Sequence, residues 1–138
     1  MVKLSPHFSL EELSYTSYSF LSGQNSTLAL KYKDNLTALA FYLLEPARAL
    51  LGVPLKITSA YRCSALNKFV GGAERSEHLS GCAADFIPKG LDLSASFFKL
   101  CNTGQLHFGQ IILEPGWIHI SLGVPFRPLE KCRQIIRK

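Results

Sequence analysis

Leu36, Leu39, Leu43, Ala47 and Leu50 recur at spacings of three and four between Lys31 and Leu51, which marks one apolar face of a helix. Pro46 falls inside this run. Proline lacks the N–H and crowds the turn before it, so the helix is expected to kink or divide there. Further upstream, Ser9-Leu-Glu-Glu12 has the form of a capping box, with Ser9 as N-cap and Glu12 at N3, and predicts a short helix. The stretch from about Thr16 to Thr27 is rich in Ser, Thr, Asn and Gly and reads as a loop.

Beyond Gly52 the pattern becomes mixed. Leu55 to Ser59 alternates and predicts a strand, and Ser64 to Val70 predicts a short helix stopped by Gly71-Gly72. Cys82 to Ile87 is apolar except at Asp85 and ends at Pro88, which suits a buried strand. Asp92 or Ser94 can cap a helix running through Leu100 and Cys101, with Gly104 as its terminator. Two alternating runs follow, Phe108 to Glu114 and Trp117 to Leu122. Pro115-Gly116 joins them as the expected centre of a type II turn, so they predict an antiparallel hairpin. Pairing through that turn sets Glu114 opposite Trp117, Ile112 opposite His119 and Gln110 opposite Ser121 on one side of the sheet. Ile111, Leu113, Ile118, Ile120 and Leu122 take the other side, which is then the core. The fold class is α+β, with helices packed on a small, mostly antiparallel sheet.

Composition narrows the class. The 138 residues, 47% apolar and 18% charged, exclude a disordered chain and suffice for one hydrophobic core, so a single domain over 1–138 is expected. No apolar run approaches the ~18–20 residues of a membrane helix. The opening MVKLSPHFSLEEL has no basic segment followed by an apolar one, which predicts a protein cytoplasmic as synthesised. The glycosylation patterns at Asn25 and Asn35 are set aside for the same reason. Cys63, Cys82, Cys101 and Cys132 show no C-x-x-C spacing, which argues against a structural zinc finger or a thioredoxin-type site. They are expected to be reduced. The net charge is +5, and segment 127–138 carries +4 of it: Arg127, Lys131, Arg133, Arg137 and Lys138 against Glu130. That basic C-terminal segment reads as a solvated helix face or as an adhesive for a polyanion. No aromatic residue interleaves it, so no nucleic-acid partner is expected.

The candidate chemistry lies in Ser76-Glu-His-Leu-Ser-Gly-Cys-Ala-Ala-Asp-Phe86 and in His119. Asp85 sits in an otherwise apolar strand, where a carboxylate is costly unless paired or bound to a metal. His119 projects from the face opposite five large aliphatics. Together with His78 they make two imidazoles and one carboxylate, a normal zinc set that leaves a fourth position open. The rival is His78 with Cys82, at i and i+4, which would share a face if the segment were helical. Ser80-Gly81 weakens that helix.

"SAYRC" at 59–63, "LNKFVGGAERSEHLSGCAADF" at 66–86 and "WIHISL" at 117–122 resemble the zinc D-Ala-D-Ala carboxypeptidase family. That family shares the hedgehog/DD-peptidase fold and includes phage endolysins that cut peptidoglycan stem peptides. "FSLEEL" and "LEPARALLG" are similar to its small phage and bacterial members, and the resemblance spans about residues 8 to 122. It implies zinc (Zn2+) on His78, Asp85 and His119, and Arg62 as the residue that binds a substrate carboxylate. Arg62 has the donor fork for that task. The resemblance also implies a supporting or turn-forming place for Ser76 beside the first ligand, and a close backbone approach at Gly81. The chain departs from the pattern where many relatives carry an acid two or three positions before the last histidine. Here those positions hold Trp117 and Gly116, and Gly109 stands where another acid is often found. The nearest acid is Glu114, diagonal to His119 across the hairpin at ~7–8 Å between backbones, and it is the candidate general base. His107 is expected on the surface.

The activity implied is metal-assisted hydrolysis of a stem-peptide bond by a monomer, acting on the cell wall after release or as part of a virion. A zinc-retaining but catalytically degenerate hedgehog-like binding module is the alternative, motivated by the missing acid.

Overall fold

A computed structural model of the chain describes residues 1–123 and 134–138. The capping box forms as predicted: Ser9 Oγ accepts from Glu12 N at 3.1 Å and starts α1, Leu10–Leu13. Ahead of it, β1 (Lys3–Ser5) pairs antiparallel with β2 (Phe8–Ser9), a small sheet the residue pattern did not signal.

The stretch expected to be a loop is instead α2, Ser19–Ala29. Its weak propensity is overridden by burial at four-residue spacing, with Leu21, Asn25 and Ala29 facing inward. Asn25 is fully buried and saturates three backbone groups: its Nδ2 donates to Ser14 O and Tyr61 O, and its Oδ1 accepts from Cys63 N.

The long apolar face follows as a 3₁₀ turn at Leu30–Tyr32, α3 at Lys33–Leu39, a π-helical turn at Ala40–Leu44, and α4 at Glu45–Leu51. Pro46 sits in the first turn of α4, where its missing N–H is harmless, and the widened π turn ahead of it replaces a sharp kink. Leu36, Leu39, Leu43, Leu44 and Ala47 are fully buried in the main core.

The main sheet has five strands in the order β3-β4-β6-β5-β7, all antiparallel except the last pair. They are β3 Leu55–Ser59, β4 Ala83–Pro88, β5 Gln110–Leu113, β6 Ile118–Ser121 and β7 Gln134–Arg137. Between β3 and β4 lie α5, Ser64–Phe69, and a 3₁₀ turn at Glu77–Ser80; α6, Leu93–Asn102, is capped by Asp92 Oδ2, which accepts from Ala95 N. The hairpin register is the one predicted, with Ile112 opposite His119 and Gln110 opposite Ser121. Its turn is tighter than type II: Gly116 N donates to Glu114 O at 2.8 Å, closing three residues around Pro115. Ile111, Ile118 and Ile120 are fully buried in the core, as expected of their face.

Strand β7 corrects the reading of the basic segment as a helix face. Residues 134–137 pair in parallel with β5, Ile112 with Ile136 and Leu113 with Arg137. The rest of that segment, 127–133, and Cys132 lie outside the described residues. Cys63, Cys82 and Cys101 are buried thiols. No helix among the described residues is long and apolar enough to cross a membrane.

Candidate metal centre

Register alone assembles most of the site. Ser59 pairs with Asp85, Asp85 with His119, His119 with Ile112 and Ile112 with Ile136, so one row of residues crosses all five strands. Alternation sends Ala84 and Phe86 into the core and leaves Asp85 on the opposite face. That face forms the floor of an open cleft of about 750 Å³, also lined by Arg62, Ser76, His78, Glu114 and Lys138.

His78 enters from the 3₁₀ turn. Ser76 caps that turn, its Oγ accepting from His78 N at 3.2 Å. The turn ends at Gly81, which stops any helix from carrying Cys82 onto the face of His78. The His78–Cys82 rival therefore fails, and the Cys82 thiol faces Ser80 O at 3.8 Å. Gly81 is needed for a different reason than a close approach to metal. Its φ is +73°, and a Cβ there would meet Leu36 Cγ at 3.0 Å and Tyr32 Cβ at 3.2 Å, so the backbone packs on the helices. Gly109 likewise has a packing cause: a Cβ would come within 2.3 Å of Gly123 Cα, which bars any side chain there.

The three candidate ligand atoms lie within 4.8 Å of one another. His78 Nδ1 donates to Ala60 O at 2.6 Å, which fixes its tautomer and turns Nε2 toward the cleft. There Nε2 meets Asp85 Oδ1 at 3.3 Å, and His119 Nδ1 meets the same oxygen at 2.9 Å. A neutral His78 would set two lone pairs against each other at that contact. The arrangement calls for a cation between them, either a proton or a metal ion, and the donor set fits zinc. Burial alone would raise the Asp85 carboxyl. Hydrogen bonds from His119 and His78, with the charges of both imidazoles, outweigh burial and hold it well below the ordinary carboxylate range.

The model of the family described as peptidase M15 matches residues 6–121. The chain belongs to the M15 peptidases. No curated protein matches it. Membership implies a hydrolase, and M15 peptidases typically depend on zinc and act on peptidoglycan.

In this M15 peptidase Arg62 is more constrained than a residue reserved for substrate. Its Nε donates to Ser59 Oγ at 3.1 Å, Nη1 to Asn67 Oδ1 at 3.3 Å and Nη2 to Asp85 Oδ2 at 3.3 Å. Burial lowers its basicity and the Asp85 charge opposes that effect. Five donors less three bonds leave two N–H groups of the fork without an acceptor among the described residues. Asn67, itself held by Ala73 O at 2.9 Å, and Ser59 carried no signal of this supporting place in the residue pattern.

Among the described residues, three acids line the cleft. Asp85 is the ligand candidate. Glu77 Oε2 accepts from Gly123 N at 3.1 Å, tying it to the backbone. Glu114 stands on the same wall as Ile112 and His119, with its Oε1 3.1 Å from Lys138 Nζ. His107 is exposed, as expected.

Proposed function

We propose that the chain is a zinc metallopeptidase hydrolysing peptide bonds of peptidoglycan stem peptides, as a carboxypeptidase or an endopeptidase. The observation that carries this reading is the convergence of His78, Asp85 and His119 in a cleft that also holds Arg62 and Glu114.

His78, Asp85 and His119 would hold the metal, with His78 oriented by Ala60 O and Asp85 by Arg62. Zinc bound there supplies Lewis acidity that polarises a carbonyl and acidifies water toward neutral pH. The two open N–H groups of Arg62 bind a stem-peptide carboxylate as a fork and fix the peptide's register in the cleft. Glu114 takes the proton of the attacking water and passes it to the leaving amine. The openness of the cleft suits a polymer that must enter from the side. Action on the wall, after release or from a virion, and as a monomer, belongs to the same proposal.

Hydrolysis of purified peptidoglycan by the zinc-loaded protein tests this. New amino termini should accumulate, and Glu114→Gln should lower the rate at least ~100-fold, the usual scale for losing a general base. The degenerate binding-module reading is motivated by Gly116 and Trp117 standing where relatives carry an acid. It predicts binding to peptidoglycan with no release above the Glu114→Gln control, a result that would overturn the enzyme reading.

A further inference from the structure

The family match ends at residue 121, yet β7 lies beyond it and contributes to the cleft. Its alternation is specific. Gln134 pairs with Gln110 and Ile136 with Ile112, and Ile136, with Lys138 just past the strand, lines the cleft together with Gln110, Ile112 and Glu114. Gln110 Nε2 donates to Gln134 Oε1 at 3.0 Å, and Lys138 N donates to Leu113 O at 2.9 Å. On the other face Arg137 lies over the Phe98 ring of α6, 5.2 Å from its centroid. The strand is thus fastened on both sides, and it ends with Lys138 Nζ 3.1 Å from Glu114 Oε1.

We propose that Lys138 is a positioning residue for Glu114 and that β7 is a working wall of the site. The proposal rests on the reading of Glu114 as the base. Glu114 follows the last residue of β5 and precedes the Pro115 turn; its backbone N donates to Trp117 O, and its side chain is held by the ion pair to Lys138. Its side chain is 16% exposed and that of Lys138 is 55% exposed. With the ammonium more than half exposed, the pair adds little to stability, so its value lies in orientation. The ammonium tethers the carboxylate on the β7 side of β5, the side away from β6, and so limits how far it can swing along the cleft wall.

The experiment uses the full-length, zinc-loaded protein with peptidoglycan fragments as substrate. Lys138→Met should lower kcat about ten- to a hundredfold with KM within about twofold, the scale of a misplaced group. Lys138→Arg should restore most of kcat, and Lys138→Met should cost nothing further in a Glu114→Gln background. An activity-independent reading comes from NMR order parameters of the Glu114 side chain, which should fall in Lys138→Met and hold in Lys138→Arg. Unchanged kcat, a change confined to KM, the same loss in the Glu114→Gln background, or unchanged order parameters would each overturn the proposal. A wild type that hydrolyses nothing while its Glu114 loses order in Lys138→Met would sink the peptidase reading and leave the positioning contact standing.

Discussion

Replacing Asn25 tests how the fold supports the site from a distance. Its side chain is fully buried and bridges Ser14 O, Tyr61 O and Cys63 N, two of which flank Arg62. Asn25→Ala strands two carbonyls and one N–H. Each buried group left without a partner costs about 1–3 kcal/mol, and some water will enter the space, so the sum is about 3–5 kcal/mol. For a chain of this size that lowers Tm by roughly 10–20 °C. Asn25→Leu fills the volume but restores none of the bonds, so it should be nearly as unstable. The loop from Ala60 to Cys63 also carries the carbonyl that orients His78 and the guanidinium that braces Asp85, so zinc affinity should fall about tenfold or more. Urea unfolding gives the first quantity and zinc titration the second. Asn25→Ala within about 1 kcal/mol of wild type, or Asn25→Leu recovering most of the loss, would refute the reasoning.

Other substitutions probe single contacts. Gly81→Ala forces a side chain into the left-handed region against Leu36 and should cost about 1–3 kcal/mol; thermal unfolding indistinguishable from wild type would contradict the packing explanation. The Glu45 carboxylate accepts from Ser5 Oγ at 2.6 Å and from His7 N and Nδ1 at 2.7 Å. Burial raises its pKa, but these bonds and the His7 charge together lower it below 4.5. A depressed carboxyl stabilises the fold above its unfolded value and loses that contribution as pH falls through the folded value. Glu45→Gln should therefore cost about 1–2 kcal/mol at pH 7 and progressively less below about pH 4, as read from urea midpoints at several pH values. A gap that does not change with pH would argue against an ionised Glu45 as the anchor of β1 and β2 on α4.

Much of the site was legible because strand alternation is a strict rule. The alternating runs around Pro115 set His119, Ile112 and Glu114 on one face, and the register agrees. Asp85 was conspicuous because a carboxylate stood alone in an apolar strand. What was not legible depended on tertiary partners. Propensity in the Thr16–Thr27 stretch favours a loop, and only Leu21, Asn25 and Ala29 meeting the core make Ser19–Ala29 a helix. The glycines at 81 and 109 looked like features of the metal site, but their neighbours show backbone packing. Strand β7 was hidden for a related reason. Gln134 to Arg137 has only two apolar residues, and its pairing partner is an edge 24 residues earlier. Arg62 carried a substrate expectation, while its ties to Ser59, Asn67 and Asp85 arise from three separate segments that spacing does not connect.

X-ray absorption at the zinc edge of the metal-loaded protein tests the central claim most directly. If His78, Asp85 and His119 hold the ion, the spectrum contains two imidazoles and oxygen donors at about 2.0–2.2 Å and no sulfur. A sulfur shell near ~2.3 Å, as Cys82 would give, or a protein that takes up no zinc, would contradict the account.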